Sequence, residues 1–274
     1  MSTDPPVVLA VAGTDSGGAA GLAADLATIA AHRAHGACVV TAITAQDTTG
    51  VHAVHVPPLD MIDEQIAAVL DDLTVASVKT GMLGSPEVVR LVAERLGHLR
   101  LVVDPVLIAT SGAVLGDESV RAAYVDHLLP IATVVTPNVE EAAALLGVDG
   151  ACGFPPEELA ARLAAQCGGA GSAGGPAVVV TGGGTTGTCT DWLALLGQTP
   201  VALSHPALAT ENDHGTGCTY SAALASLLAQ GIELETACRC AAAYTSQQLA
   251  LSRRWELGRG RGPIAHVAAS HPSH

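Results

Sequence analysis

One repeating pattern limits what this chain can fold into. Short runs of β-formers alternate with longer Ala- and Leu-rich stretches of helical period, from Val7 to Leu251. Val7 to Ala12, Cys38 to Thr44, Val75 to Thr80, Leu101 to Val103, Thr133 to Val135 and Ala177 to Val180 read as strands. Leu22 to His35, Leu59 to Leu73, Pro86 to Leu96, Glu118 to Leu129, Val139 to Leu146, Thr219 to Ala229 and Glu235 to Leu251 read as helices. Thr188 to Leu196 and Val201 to His205 look like an antiparallel pair. The alternation predicts an α/β fold: a mostly parallel central sheet, helices on both faces, and a short antiparallel extension. Ligands of such sheets gather beyond the carboxyl ends of the strands. Asp15, Gln46, Lys79, Asp104, Asn138 and Thr181 each stand at or just past a predicted strand end.

The 274 residues suffice for one large domain. The expectation is a single domain over 1–274, with its core in 7–251 and a Gly/Arg/His-rich tail, 252–274, left without an assignment. Gly168 to Pro176 reads as a Gly/Ala/Ser loop. Hydrophobic residues make up 49 % of the chain but aromatics only 2 %, so the core must be aliphatic and broad base-stacking platforms are excluded. The formal charge of −14 repels phosphate backbones, which argues against a nucleic-acid partner. A nucleotide can still be held locally by backbone N–H groups and a metal ion. Seven scattered cysteines fit free thiols in a reducing cytoplasm better than a disulfide framework. No basic, apolar leader and no spanning run are apparent, so neither secretion nor a membrane is expected.

Two glycine-rich segments carry chemical interest. His214-Gly215-Thr216-Gly217-Cys218-Thr219 runs into an apolar helix. Its small residues let successive N–H groups point at one spot, the helix adds its positive end, and a thiol at that start should have a lowered pKa. That is equipment for an oxyanion or a phosphoryl group in transfer. A capped turn with a structural cysteine fits the same residues equally well. Ala12 to Gly21 allows a ligand close to the backbone, and Asp25, one turn into the next helix, can face that pocket or simply complement the helix dipole.

Other patterns are decoys. Gly182 to Gly187 and Gly169 to Gly174 both contain G-x-G-x-x-G, but neither lies between a strand and a helix as a dinucleotide fingerprint requires. No Walker sequence is present. The pairs His32/His35, His52/His55 and His271/His274 lack cysteine or carboxylate partners at zinc-site spacing. Cys238 and Cys240 diverge on a predicted helix. His214 and Cys218 lack a third orienting group for a nucleophile pair.

Taken in order, six segments resemble the hydroxymethylpyrimidine (phosphate) kinase family of the ribokinase superfamily: AGTDSGGAAGLAAD (12–25), TAITAQDTTGV (41–51), VKTGML (78–83), VDPVLIATSG (103–112), TPNVEEA (136–142) and HGTGCTYSAA (214–223). The resemblance implies a ribokinase-like fold of roughly nine strands, ATP and Mg²⁺, a hydroxymethylpyrimidine of thiamine synthesis as acceptor, and a homodimer. It implies Asp25 and Gln46 as polar contacts to the aminopyrimidine, with Gly13, Met82 and Val106 as its walls. Asn138, Thr181 and Gly183 would serve the nucleotide, and Asp104 and Glu141 the metal. Gly215, Thr216, Gly217 and Cys218 would form the anion hole, with Cys218 where sugar-kinase relatives carry an Asp base. The chain departs from the family pattern at Thr110 and Thr181, where Lys is frequent, and at Ala23, Gly184 and Asp213. A pyridoxal kinase and a weakly catalytic pyrimidine-binding regulator remain as alternatives.

Overall fold

The computed structural model describes residues 4–107, 116–148, 153–168, 174–183 and 187–266. Thr110, Gly184, most of the 168–176 loop and the end of the tail lie outside them. Among the described residues nine strands form one sheet in the order β3-β2-β1-β4-β5-β6-β7-β8-β9. The strands are β1 (Val7–Gly13), β2 (His35–Asp47), β3 (Gly50–His55), β4 (Val75–Thr80), β5 (Leu101–Val103), β6 (Val134–Val135), β7 (Ala177–Val180), β8 (Thr188–Ala194) and β9 (Val201–Pro206). From β2 to β7 all neighbours are parallel, while β3, β8 and β9 attach antiparallel at the two edges. The expected α/β architecture with its antiparallel extension is therefore present.

Strand β1 shows why the sheet is buried on both sides. Side chains alternate across a strand, and Leu9 and Val11 join one core cluster while Val8, Ala10 and Ala12 join the other. The first cluster is completed by α2 (Leu59–Asp72), α3 (Pro86–Leu96), α4 (Glu118–Ala123), α5 (Val139–Leu145) and α6 (Pro156–Gly168). The second is completed by α1 (Gly21–Ala31), α7 (Thr216–Ala229) and α8 (Leu234–Ser252). Two helical layers thus cover an aliphatic sheet, and the second packs closely because α7 presents Ala222, Ala223 and Ala225, all fully buried.

Several elements differ from the sequence reading. Strand β2 runs on to Asp47 and hairpins into β3, whose His52, Ala53, Val54 and His55 are exposed and give no apolar alternation to read. The predicted 118–129 helix breaks into α4, a wider turn over Tyr124–Leu128 and a tight turn over Leu129–Ile131, where Pro130 has no N–H to donate. Helix α6 occupies a stretch given no element, although Pro156, Glu157, Glu158 and a buried stripe at Leu159, Leu163 and Cys167 carry its signals. Past α8 the chain doubles back: His214 N donates to Gly262 O at 3.1 Å, and Ile264 N donates to His214 O at 3.0 Å. Ile264 and Ala265 are buried. Part of the unassigned tail therefore packs against the start of α7.

Tyr124 tests the bridge between the broken helix and β4. It is fully buried and its hydroxyl donates to Gly81 O at 3.0 Å. Removing only the oxygen, in Tyr124→Phe, leaves that carbonyl without its donor. We expect a loss of about 1–3 kcal/mol, read from urea unfolding midpoints; an unchanged midpoint would show the bond contributes nothing.

Candidate active site

At the carboxyl ends of β1, β4, β5 and β6 lies a cavity of about 200 Å³. Its lining contains Gly13, Gln46, Met82, Val106, Asp104, Asn138, Glu141 and Thr181, together with Gly215 to Cys218. A second cavity, of about 290 Å³, lies on the β7–β9 side and contains Gly183 in its lining. Thr181, Thr216 and Gly217 line both. The two spaces therefore meet at the first turn of α7.

The two glycine-rich loops hold that junction by backbone contact. Gly215 has φ 93°, and a Cβ there would lie 1.8 Å from Ala19 O. Gly21 has φ 56°, and its Cβ would lie 2.4 Å from Gly13 O. Only glycine tolerates both conditions. Asp15 organises the first loop by accepting from the N–H groups of Gly17, Ala19 and Ala20 at 2.8, 3.0 and 2.9 Å. Burial would raise its pKa, but His214 and these amides hold the carboxyl below its ordinary value. His214 Nε2 lies 3.4 Å from Asp15 Oδ2 and 2.9 Å from Gln46 Nε2. Gln46 thus lines the cavity as expected, already oriented by a histidine the sequence reading set aside.

At the start of α7, Thr216 N–H donates to Asp213 O at 3.2 Å. Thr216 therefore contributes its side of the wall rather than an amide to the anion hole, which corrects the expectation. Gly217 and Cys218 remain as first-turn donors. Cys218 requires a second correction. The residue is only partly buried, yet burial is the largest influence on its thiol and pushes it up to about 12. Lys79 pulls the other way, while Asp25 and Asp104 add to the rise. The predicted lowering by the helix start does not prevail.

Asp25 is the third correction. It is fully buried, is absent from the lining of the cavity, and both its oxygens accept from Lys79 Nζ, at 2.8 and 3.0 Å. It is the counter-ion of a buried lysine, where a polar contact to the acceptor was expected. Lys79 Nζ also lies 3.7 Å from Asp104 Oδ2. Burial opposes the ammonium, but Asp25, Cys218 and Asp104 together outweigh it and keep the lysine protonated. Asp104 accepts in addition from Ser221 Oγ at 2.9 Å.

Asn138 and Glu141 form a reciprocal cap on α5: Glu141 N donates to Asn138 Oδ1 at 2.8 Å, and Asn138 N donates to Glu141 Oε2 at 3.0 Å. Both still line the cavity. Burial, then the nearby Asp104, pushes Glu141 up to about 8. Burial likewise raises Asp104. Two carboxylates so placed favour a divalent cation between them. Thr44, Gly81 and Thr136 line the same space and were not singled out; Gly81 and Thr136 stand just past strands, while Thr44 lies within β2. In the second cavity, burial is outweighed by Asp191 and Cys189, and His205 rises to about 10.

The sequence pattern of the family described as phosphomethylpyrimidine kinase matches residues 15–265. The chain belongs to the phosphomethylpyrimidine kinase family. It is 43 % identical over 262 residues to a hydroxymethylpyrimidine/phosphomethylpyrimidine kinase of Rhizobium meliloti, covering 95 % of this chain and 96 % of that protein. It is 38 % identical to the enzyme so named in Haemophilus influenzae, at 96 % and 97 % coverage. Among solved structures, an ADP complex of Bacillus subtilis pyridoxal kinase superposes with TM-score 0.83 at 31 % identity, covering 96 % and 98 % of the two chains. The phosphomethylpyrimidine kinase of Clostridium difficile superposes with TM-score 0.72 at 33 % identity, covering 88 % and 98 %. Family membership and the ribokinase-like fold therefore stand together.

Two outcomes test the charge arrangement of this phosphomethylpyrimidine kinase family member. Lys79→Met strands Asp25 in the core and should cost about 3–5 kcal/mol of stability, measured by denaturant unfolding; a loss below about 1 kcal/mol would show that the pair is not buried as described. Glu141 binds its proton more tightly folded than unfolded, because its pKa rises from 4.5 to about 8. Its full contribution is present at low pH and fades as pH climbs through 4.5 toward 8. Glu141→Gln keeps the cap and removes the titration, so the decline in metal-free stability over that window should be shallower in the variant. Identical slopes would refute the assignment.

Proposed function

We propose that the chain is an ATP-dependent kinase of thiamine biosynthesis that phosphorylates 4-amino-5-hydroxymethyl-2-methylpyrimidine and then its monophosphate. The observation that carries this reading is the meeting of two cavities at the first turn of α7. One cavity offers a flat acceptor apolar walls at Met82 and Val106, a close backbone at Gly13 and a polar reader in Gln46. The other has room for a donor along Thr181 and Gly183. An acceptor alcohol and a donor phosphate approaching from opposite sides would face each other at Gly217 and Cys218.

Transfer by this route needs positioning and charge neutralisation more than covalent chemistry. Gln46 orients the ring, with His214 holding the amide in place. The N–H groups of Gly217 and Cys218 receive the negative charge of the transferring group. Cys218 carries its proton at neutral pH, so it shapes the anion hole as a neutral group, and it would take the acceptor's proton only after bound ligands lower its proton affinity and its own proton leaves to solvent. Asp104 and Glu141 fit Mg²⁺, which would supply neutralisation of the donor phosphates. A cytoplasmic location accords with the six free cysteines among the described residues. No helix among those residues is long and apolar enough to cross a membrane. A homodimer also belongs to this reading, and the exposed Ile43, Val54, Val56, Leu59 and Met61 offer it an apolar face near the β3 edge.

Pyridoxal, also a flat ring with a hydroxymethyl group, is the competing acceptor. It is the ligand of a Staphylococcus aureus pyridoxal kinase that superposes with TM-score 0.82 at 30 % identity. Identities of 38–43 % to proteins named for the pyrimidine favour the pyrimidine. Incubation with Mg-ATP and each compound in turn decides between them by ADP release. Faster turnover of the pyrimidine is expected; faster turnover of pyridoxal, or pyrimidine binding without ADP, would overturn the reading.

Cys218→Ala leaves the backbone N–H in place and removes only the thiol, so kcat should fall by roughly 10²-fold, the low end of a proton-transfer group's contribution, with little change in pyrimidine affinity. Gln46→Ala should instead raise the pyrimidine dissociation constant and change kcat less. Calorimetry and steady-state kinetics on both variants separate the two roles, and a reversed pattern would exchange them.

A further inference from the structure

The antiparallel extension brings three metal-binding groups onto one face. Cys189 on β8 stands directly opposite His205 on β9 in the strand register, and Asp191 follows Cys189 by two residues, hence on the same face. Their donor atoms all lie within 4.8 Å of one another. His205 Nε2 is 3.3 Å from Asp191 Oδ2. Cys189 and Asp191 are buried, and His205 is partly so.

The groups around these three fix them in place. Asp191 Oδ1 accepts from Gly182 N at 2.9 Å, which leaves Oδ2 turned toward the histidine. Gly182 can come so close because it lacks a Cβ, which would lie 2.1 Å from Thr190 O. Ser246 Oγ lies 3.2 Å from His205 Nδ1, so the other ring nitrogen is free to face Cys189 and Asp191. A metal-ligating imidazole is held this way through its second nitrogen. All three donors line the 290 Å³ cavity, which leaves a further coordination position open to it.

We propose that Cys189, Asp191 and His205 form a binding site for a thiolate-preferring divalent transition metal of the Zn²⁺ class. Thiolate, imidazole and carboxylate together suit Zn²⁺ or Co²⁺, whereas Mg²⁺ prefers an all-oxygen set such as that of Asp104 and Glu141. Tetrahedral Zn²⁺ with bonds of about 2.0–2.3 Å sets its ligands about 3.3–3.8 Å apart, so small side-chain rotations close the present triad onto one ion. The ion would sit on the wall of the cavity assigned above to the donor. Its competition with nucleotide rests on that assignment; the site itself does not.

The test uses Co²⁺ alone, added to the nucleotide-free full chain carrying Cys38→Ser and Cys240→Ser, which removes the two exposed thiols among the described residues. One equivalent of Co²⁺ should produce a saturable thiolate-to-metal charge-transfer absorption that Zn²⁺ displaces. Cys189→Ser should abolish it and His205→Ala should weaken binding at least ten-fold. Absence of the absorption, or its survival in Cys189→Ser, overturns the site. Should the Cys189 variant fail to fold by circular dichroism, crystals of the unsubstituted protein soaked in Zn²⁺ decide. An anomalous peak among the three side chains supports the site, and peaks only elsewhere overturn it. Saturating ADP should weaken Co²⁺ binding; a Cys189-dependent absorption indifferent to ADP keeps the site and counts against the donor assignment alone.

Discussion

The ammonium of Lys79 is the charge around which the rest of the site is arranged. It is fully buried at the carboxyl end of β4, a position that on its own would be strongly unfavourable. Asp25 from α1 and Asp104 from the end of β5 surround it, and Ser221 from α7 ties Asp104 in turn. One cation thus links two strand ends to two helices of the same layer. Apolar packing alone is non-directional. A polar cluster with few satisfactory geometries fixes where α1 and α7 sit relative to the strand ends.

That fixed point lies beneath the junction of the two cavities. The first turn of α7 is pressed against the β1–α1 loop until Gly215 touches Ala19, and the same loop is shaped by Asp15. The first-turn amides of α7, Gln46 and the carboxylates of Asp104 and Glu141, which line one cavity, are therefore set by one connected framework rather than by separate loops. Excess negative charge also has a use here. Asp104 adds to burial in raising the proton affinity of Glu141, and Asp104 is only partly neutralised because Lys79 lies closer to Asp25. The unsatisfied negative potential is what a divalent cation arriving with phosphates can relieve.

Much of this architecture was legible in the sequence because burial on both faces imposes continuous apolar runs, and the strand ends then advertise their polar residues. The glycine loops were legible for the same local reason. What escaped was partnership across the fold. Asp25 reads as a pocket acid from its place in α1, but Lys79, fifty-four residues away, claims it. Asn138 and Glu141 read as ligands, but their spacing of three is also that of a reciprocal helix cap, and the structure shows that cap at the edge of the cavity. Cys218 reads as an acidic thiol from its helix start alone; the balance of burial and two buried aspartates is invisible without coordinates. The tail beyond α8 has no periodicity to read, because it is held by single backbone bonds to His214.

The neutral thiol alters how the chemistry must be distributed. A preformed thiolate beside Asp104 and Glu141 would repel an incoming phosphate, so keeping the proton on sulfur removes one negative charge from where charge would accumulate in the proposed transfer. The same residue that looks like a base in isolation is thus better placed as an uncharged neighbour of the amides of α7. In the proposed transfer the acceptor's proton would leave late, after the phosphoryl group has moved and Cys218 has released its own proton to solvent, which suits a loose transition state. On this view Lys79 has a second consequence: by holding Asp25 and part of Asp104, it limits the negative field at Cys218 and keeps the thiol within reach of a proton exchange that bound substrates can tip.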